Sequence, residues 1–372
     1  MMLYGLILAL LFNVVTIPLQ PQTFAGYYVM EYENQKVISK HNETIPYQPG
    51  NLTQLMTLVI VYDAIVSQQI QLNDMVLIDK EITAIKDYPL PLVEGDCVSI
   101  KDLIRYVLHF GAYDATLALV KYISGSEEAF VAKMNDKVKQ LKLEHTHFHN
   151  PYGYHDVKHY STAKDLAMIF RYLIEIGAES FLTLSQDSEC LVSSAQEIWM
   201  ASENVLLKQF EGCDVIKMSE HPHHQYSIGA SAKVKGVRSI AIGLYASNLH
   251  QANEGMITFF QQTFHKYQTI TLVSKNEYQA TVALYQGEVS NIAFYHPPLQ
   301  CSMLRQEDVK VTKATIQLPK LFAPIHKDQQ IGVLKITLSN HKCYELPLYA
   351  KTSVSKQSLF TLFLKNLWHS IS

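Results

Sequence analysis

LEHTHFHNPYGYHDVKHYSTAKDLAMI, residues 143–169, carries three local signals in one run. His145, His147 and His149 alternate as side chains do on one face of a strand. Asn150-Pro151 followed by Gly153 marks a turn. Apolar residues then recur at helical spacing over 162–176, and the Ser161-Thr162 pair stands where a helix N-cap belongs. Strand, turn and helix within so short a stretch predict a mixed domain.

Outward from this segment the pattern continues. Toward the N-terminus, apolar spacing predicts helices over 52–67, 99–109, 112–124 and 126–141. Before them, Gly26 to Tyr32 and Lys36 to Ser39 read as a hairpin turning at Asn34-Gln35. Toward the C-terminus, Tyr226–Val234 and Ser239–Tyr245 are β-rich, and Ala252–His265 reads as a closing helix. Strands at both ends of a helical middle predict an α+β domain over 26–266, an antiparallel sheet covered by a helical cluster. From about Gln268, short β-rich runs (270–273, 280–284, 309–311, 315–318 and 331–338), punctuated by Pro297, Pro298, Pro319 and Pro324, predict a small all-β domain over 267–351.

The 372 residues are 48% hydrophobic and 17% charged, enough apolar content for two cores and too much for a disordered chain. Net charge is −3 with no long basic run, so nucleic acid is not an expected partner. Five cysteines, at 97, 190, 213, 301 and 343, show no C-x-x-C spacing and suggest no zinc or redox motif. An odd number leaves at least one thiol without an intramolecular partner. No cofactor is implied.

Both ends point to a membrane. An apolar run from Leu3 to Ile17, then Pro18, Pro21 and a small-residue end before Gly26, predicts a signal peptide over residues 1–25. Its alternative is an uncleaved anchor. At the other end, Phe360, Phe363, Leu364, Leu367 and Ile371 recur at helical spacing, with Thr361, Lys365 and His369 opposite. Residues 352–372 are therefore expected to form an amphipathic helix lying on a membrane surface. The alternative is a helix docked on its own β domain.

The opening segment resembles the serine D-alanyl-D-alanine carboxypeptidases, the low-molecular-mass penicillin-binding proteins. Thr146, His147, Phe148, Asn150, Pro151 and Gly153 agree with the family pattern T-H-F-x-N-P-x-G. His159, Tyr160, Ser161, Thr162, Ala163, Asp165 and Leu166 agree with H-Y-S-T-A-x-D-L. Further matches are Gln71 to Val76, Asp114 to Leu119, Ser124-Gly125-Ser126 and Ala323-Pro324. The resemblance covers nearly the whole chain and implies a DD-peptidase/β-lactamase-like fold in an exported protein at the periplasmic face of the inner membrane.

The resemblance also implies three motifs, S-x-x-K, S-x-N and K-T-G. The serine attacks, the lysine one helical turn later takes its proton, and the other two orient the substrate and bind its carboxylate. Here the first falls on Asn51-Leu52-Thr53-Gln54, which offers two amides and neither nucleophile nor base. The second falls on Gly111-Ala112-Tyr113. The third, Lys217-Met218-Ser219, keeps only its lysine, which either attracts a terminal carboxylate or stands as a solvated strand residue. Thr53 is two positions off and belongs to a different face. Two other S-x-x-K strings, at Ser161 and Ser353, read as structural.

His221, His223 and His224 cluster after the third motif but lack zinc spacing, so no metal is expected. The chain is thus expected to be an inactive relative that binds a peptidoglycan stem peptide or a cell-envelope protein, with the inner-membrane surface as a further partner. One alternative is an active carboxypeptidase trimming stem peptides. Another is a scaffold working through its β domain and tail.

Overall fold

The computed structural model describes residues 23–186, 189–193, 198–202, 205–274, 276–285, 291–304 and 309–356. The apolar leader and most of the expected C-terminal helix lie outside these residues. Five strands, β1 (Gly26–Glu31), β2 (Lys36–His41), β3 (Cys213–His221), β4 (Gln225–Val234) and β5 (Val237–Ala246), form an antiparallel sheet in the order β2-β1-β5-β4-β3. The chain therefore starts in the middle of the sheet and returns to it after a helical excursion.

Alternation along the strands builds two cores. Tyr28 and Met30 of β1 and Ile240, Ile242 and Leu244 of β5 face the helical cluster. Val29 and Ala241 face the opposite side, where helix α6 (Leu249–Lys266) packs with Met256 and Phe260. A period of two puts successive residues on opposite faces, so a sheet covered on both sides is apolar at nearly every position.

The cluster comprises α1 (Gln54–Val66), α2 (Ile100–Phe110), α3 (Tyr113–Ser124), α4 (Glu127–Gln140) and α5 (Ala163–Gln186). Helix boundaries follow local chemistry. Gly111 and Gly125 end α2 and α3 in the left-handed conformation, and the Ser99 and Ser126 hydroxyls cap α2 and α4. α1 is buried at every position from Gln54 to Tyr62, not along one face alone. A helix apolar all round sits inside a bundle.

Two local expectations change. The helix predicted over 162–176 runs on to Gln186, bending at Ala178 (φ 43°, ψ −132°) beyond Gly177, whose lack of a side chain admits Phe181. Its cap is Thr162, which accepts from Asp165 N at 3.1 Å. His145, His147 and His149 share no strand face. Residues 141–150 form a loop with one isolated bridge, His147 to Tyr160. Histidine alternation here was a composition effect, with no ladder partner to make it a strand.

The β domain begins at Tyr267, where α6 ends. Its larger sheet orders Val311–Gln317, Gln330–Leu338, Cys343–Ala350, Asn291–His296, Asn276–Tyr285 and Leu321–Phe322, while Tyr267–Val273 pairs with Leu299–Leu304. The strands at 291–296, 299–304 and 343–350 escaped the sequence reading. Cys343–Ala350 contains Pro347, and His296-Pro297-Pro298 breaks the run between the other two. Asn34, at the tip of the β1–β2 hairpin, ties the domains by donating to Ser302 O at 2.7 Å and accepting from Lys342.

At the chain ends, Phe24 is 1% exposed and stacks on Phe259, with centroids 5.8 Å apart. The domain thus begins before Gly26. Val354 bridges Ile325 and is buried in the β-domain core, so residues 352–356 are extended where the tail helix was expected to start. None of the five cysteines is joined in a disulfide. Among the described residues no helix is long and apolar enough to cross a membrane.

Candidate functional site

Three stretches distant in sequence meet where α1 opens. A 3₁₀ turn, Gly50–Thr53, leads into α1; Gly111 joins α2 to α3; and β3 runs alongside. The approach is tight because glycines allow it. A Cβ on Gly153 would lie 2.0 Å from Gly50 O, and one on Gly111 would lie 2.8 Å from Asn51 Nδ2 and 3.7 Å from Lys217 Nζ. All four positions expected to form the site therefore converge: Asn51, Gln54, Tyr113 and Lys217.

Their chemistry is closed on itself. Tyr113 Oη donates to Asn51 Oδ1 at 2.8 Å, and Asn51 N donates to Ser219 Oγ at 3.0 Å. Gln54 Nε2 donates to Gly111 O at 3.0 Å and to Thr116 Oγ1 at 3.3 Å. Lys217 Nζ donates to Val107 O at 2.5 Å. None of the four side chains reaches solvent freely: Asn51 is 7% exposed, Gln54 0%, Tyr113 4% and Lys217 1%.

Lys217 is therefore not a solvated strand residue, and a carboxylate arriving from outside cannot touch it. Among the described residues no carboxylate pairs with it either. Burial alone pushes its amine down to about 7. Met218 lies on the other side of β3, packed against the second core. Ser219, at the motif's glycine position, accepts Asn51 N with its hydroxyl, a bond that could not be foreseen from spacing.

Among the described residues no replacement nucleophile emerges. Thr53 Oγ1 lies 2.7 Å from His159 Nε2, a pairing that invites a nucleophile-base reading. His159 Nδ1, however, accepts His149 N at 3.0 Å, which places the ring proton on Nε2. Nε2 then donates to the threonine instead of drawing its proton, and both groups are fully buried. Ser161 is buried against Thr146 Oγ1 at 2.8 Å while Lys164 faces solvent, so that string forms no pair. Ser353 accepts Lys327 N in the β domain.

The three histidines at the end of β3 and just beyond it diverge. His221 is buried, bonded to Ser227 Oγ at 2.8 Å and stacked on Tyr245; desolvation lowers it to about 4. His223 and His224 are exposed, His224 meeting Glu220 at 2.8 Å. Among the described residues no three His, Cys, Asp or Glu side chains gather to hold a metal.

The sequence profile of D-alanyl-D-alanine carboxypeptidase matches residues 15–248, and that of the penicillin-binding protein 5 C-terminal domain matches 267–356. The chain belongs to the D-alanyl-D-alanine carboxypeptidase family. It is 28% identical to D-alanyl-D-alanine carboxypeptidase DacF of Bacillus subtilis, over 91% of this chain and 87% of that one. With DacC of Escherichia coli it shares 26% identity over 89% and 84% of the two chains. The solved structure of penicillin binding protein 5 from Haemophilus influenzae superposes with a TM-score of 0.65 at 24% identity, covering 90% of this chain and 98% of that one. A peptidoglycan synthesis regulatory factor (PBP3) from Streptococcus pneumoniae gives 0.69 at 17%, covering 90% and 100%. Both establish the fold.

Against the family pattern, Gly111 explains how Asn51 is accommodated. The motif's serine at this position would place its Cβ in the space the Asn51 carboxamide occupies, on a backbone at φ +65°. Gly111→Ser is expected to cost about 2 kcal/mol alone, from strain and overlap. In an Asn51→Ser background the cost should fall by about 1 kcal/mol, because the two share one volume. Urea unfolding of the four-member cycle measures this coupling, and strictly additive costs would refute it.

Missed altogether was a cluster of four tyrosines, Tyr88, Tyr113, Tyr152 and Tyr154, over this site. Tyr113 lies 5.0 Å from Tyr88, 5.3 Å from Tyr152 and 4.9 Å from Tyr154, centroid to centroid. The Pro151-Tyr152-Gly153-Tyr154 run carried a signal for two of them; Tyr88 carried none.

Proposed function

We propose that this chain is a non-hydrolysing member of the D-alanyl-D-alanine carboxypeptidase family that works in the cell envelope by binding a partner. One observation carries the reading: the carboxamide of Asn51, held by the Tyr113 phenol, fills the nucleophile's place, with Gln54 in place of the base. Attack on a carbonyl needs a nucleophilic oxygen and an acceptor for its proton, and neither amide supplies them.

Family membership and the apolar leader support export to the periplasmic face of the inner membrane. Residues 357–372 are proposed to add surface anchoring through their amphipathic pattern. Because Lys217 is sealed, a stem peptide lacks its usual carboxylate receiver. A protein partner is therefore favoured over a peptidoglycan peptide.

The test is covalent labelling. Incubated with a fluorescent penicillin, the full chain is expected to show no bound dye and no mass increase. An adduct of the drug's mass would establish the active serine-type alternative.

A further inference from the structure

The four tyrosines differ in what they show to solvent. Tyr113 and Tyr152 are buried, whereas Tyr88 is 48% and Tyr154 36% exposed. The two exposed rings flank Tyr113, and Tyr154 Oη donates to Asp87 Oδ2 at 2.8 Å, beside Tyr88 in sequence. Together they form one aromatic surface over Tyr113.

That surface is rigidly set. Tyr88 lies in the left-handed region (φ +47°), and its carbonyl accepts Tyr113 N at 3.2 Å. Two residues on, Leu90 N donates to the buried Asp114 carboxylate at 2.7 Å. The loop bearing Tyr88 is thus pinned to the start of α3.

The charged groups that perturb the four phenols are carboxylates, those of Asp87, Glu127, Glu220 and Glu81. Lys121 answers Glu81 at 2.5 Å, and His224 meets Glu220. Among the described residues, Asp87 and Glu127 make no ion pair; they accept instead from Tyr154 and from Tyr152 Oη, the latter at 2.5 Å. A phenol donating to a carboxylate has a more electron-rich ring, and such a face attracts cations.

We propose that the exposed Tyr88–Tyr154 face, edged by Asp87, docks a lysine- or arginine-bearing segment of a partner protein. Charge complementarity selects this occupant: an acidic peptide or a free carboxylate would meet unpaired negative charge. One exposed cation–π contact is weak, so the segment must carry more than one cation. The inference deepens the binding role proposed above and rests on it.

An acetylated, amidated Gly-Lys-Gly-Arg-Gly peptide, titrated into the full chain by calorimetry, tests it against the same peptide with norleucine and citrulline. The cationic peptide is expected to bind at least tenfold tighter, with affinity falling as salt rises. Tyr88→Ala and, separately, Asp87→Asn should each weaken it at least fivefold at unchanged Tm; if Tyr88→Ala lowers Tm, Asp87→Asn alone decides. Equal affinity for both peptides, no binding of either, or insensitivity to Asp87→Asn overturns the proposal, as does preference for an N-acetylglucosamine oligomer. A penicillin adduct with cationic binding intact would sink only the non-hydrolysing reading, and absence of both would sink only this one.

Discussion

Replacing Lys217 by methionine is expected to stabilise the protein by about 4 kcal/mol at pH 7, an unusual outcome for a buried residue. The amine is 1% exposed, donates to no carboxylate among the described residues, and has burial as its one perturbing cause. Its proton leaves near pH 7 in the folded state and near its ordinary 10.5 in the unfolded chain. Between those values the unfolded state holds the extra proton, so stability rises with pH by about 1.4 kcal/mol per unit. Above 10.5 the penalty is gone; below 7 it is full and constant. Over 3.5 units it amounts to roughly 5 kcal/mol, of which loss of the bond to Val107 O returns about 1.

Cys213 bounds the window. Burial pushes its thiol up to about 12, so its own titration opposes folding once the unfolded thiol ionises near 9. Urea unfolding of both proteins between about pH 7 and 8.5 therefore isolates the lysine. The native chain should gain about 2 kcal/mol across that range while Lys217→Met stays level. Parallel curves would show that Lys217 is solvated or paired.

Phe24→Ala is expected to cost about 4 kcal/mol, since the ring is fully buried and its removal leaves a cavity between sheet and helix. Gly243 and Gly255 are shaped to it: a Cβ at either would stand 2.5 Å and 2.6 Å from the ring. Ala25 N also donates to Leu244 O at 2.9 Å, extending β1 outward. A mature chain starting at Gly26 should lose about as much as Phe24→Ala. Signal cleavage is thus expected no later than the bond before Phe24. N-terminal sequencing of the exported protein checks this, and a start at Gly26 with undiminished stability would refute it.

Legibility from sequence followed the range of the interaction. Ser124-Gly125-Ser126 announced a helix stop and a helix start, and the structure uses Gly125 and Ser126 for those tasks. The β-rich runs at 226–234 and 239–245 located two adjacent sheet strands. The alternating histidines misled, because a strand needs a partner and residues 145–149 have only one bridging residue. Strands 291–296 and 343–350 were passed over because proline and polar residues hid their pattern, while long-range pairing with each other stabilises both.

For the site, residue identity alone determined that Asn51 and Gln54 cannot perform acylation, since an amide has no nucleophilic hydroxyl and no titratable amine. Spacing and resemblance determined which positions should meet. Only the tertiary structure decided what the meeting produced: Lys217 sealed and near neutrality, Gly111 yielding its space to Asn51, and a cluster of tyrosines around Tyr113. Those outcomes depend on burial and on partners 60 to 170 residues away. Reactivity is a property of the side chain and can be read locally, whereas pKa and accessibility belong to the surroundings that folding assembles.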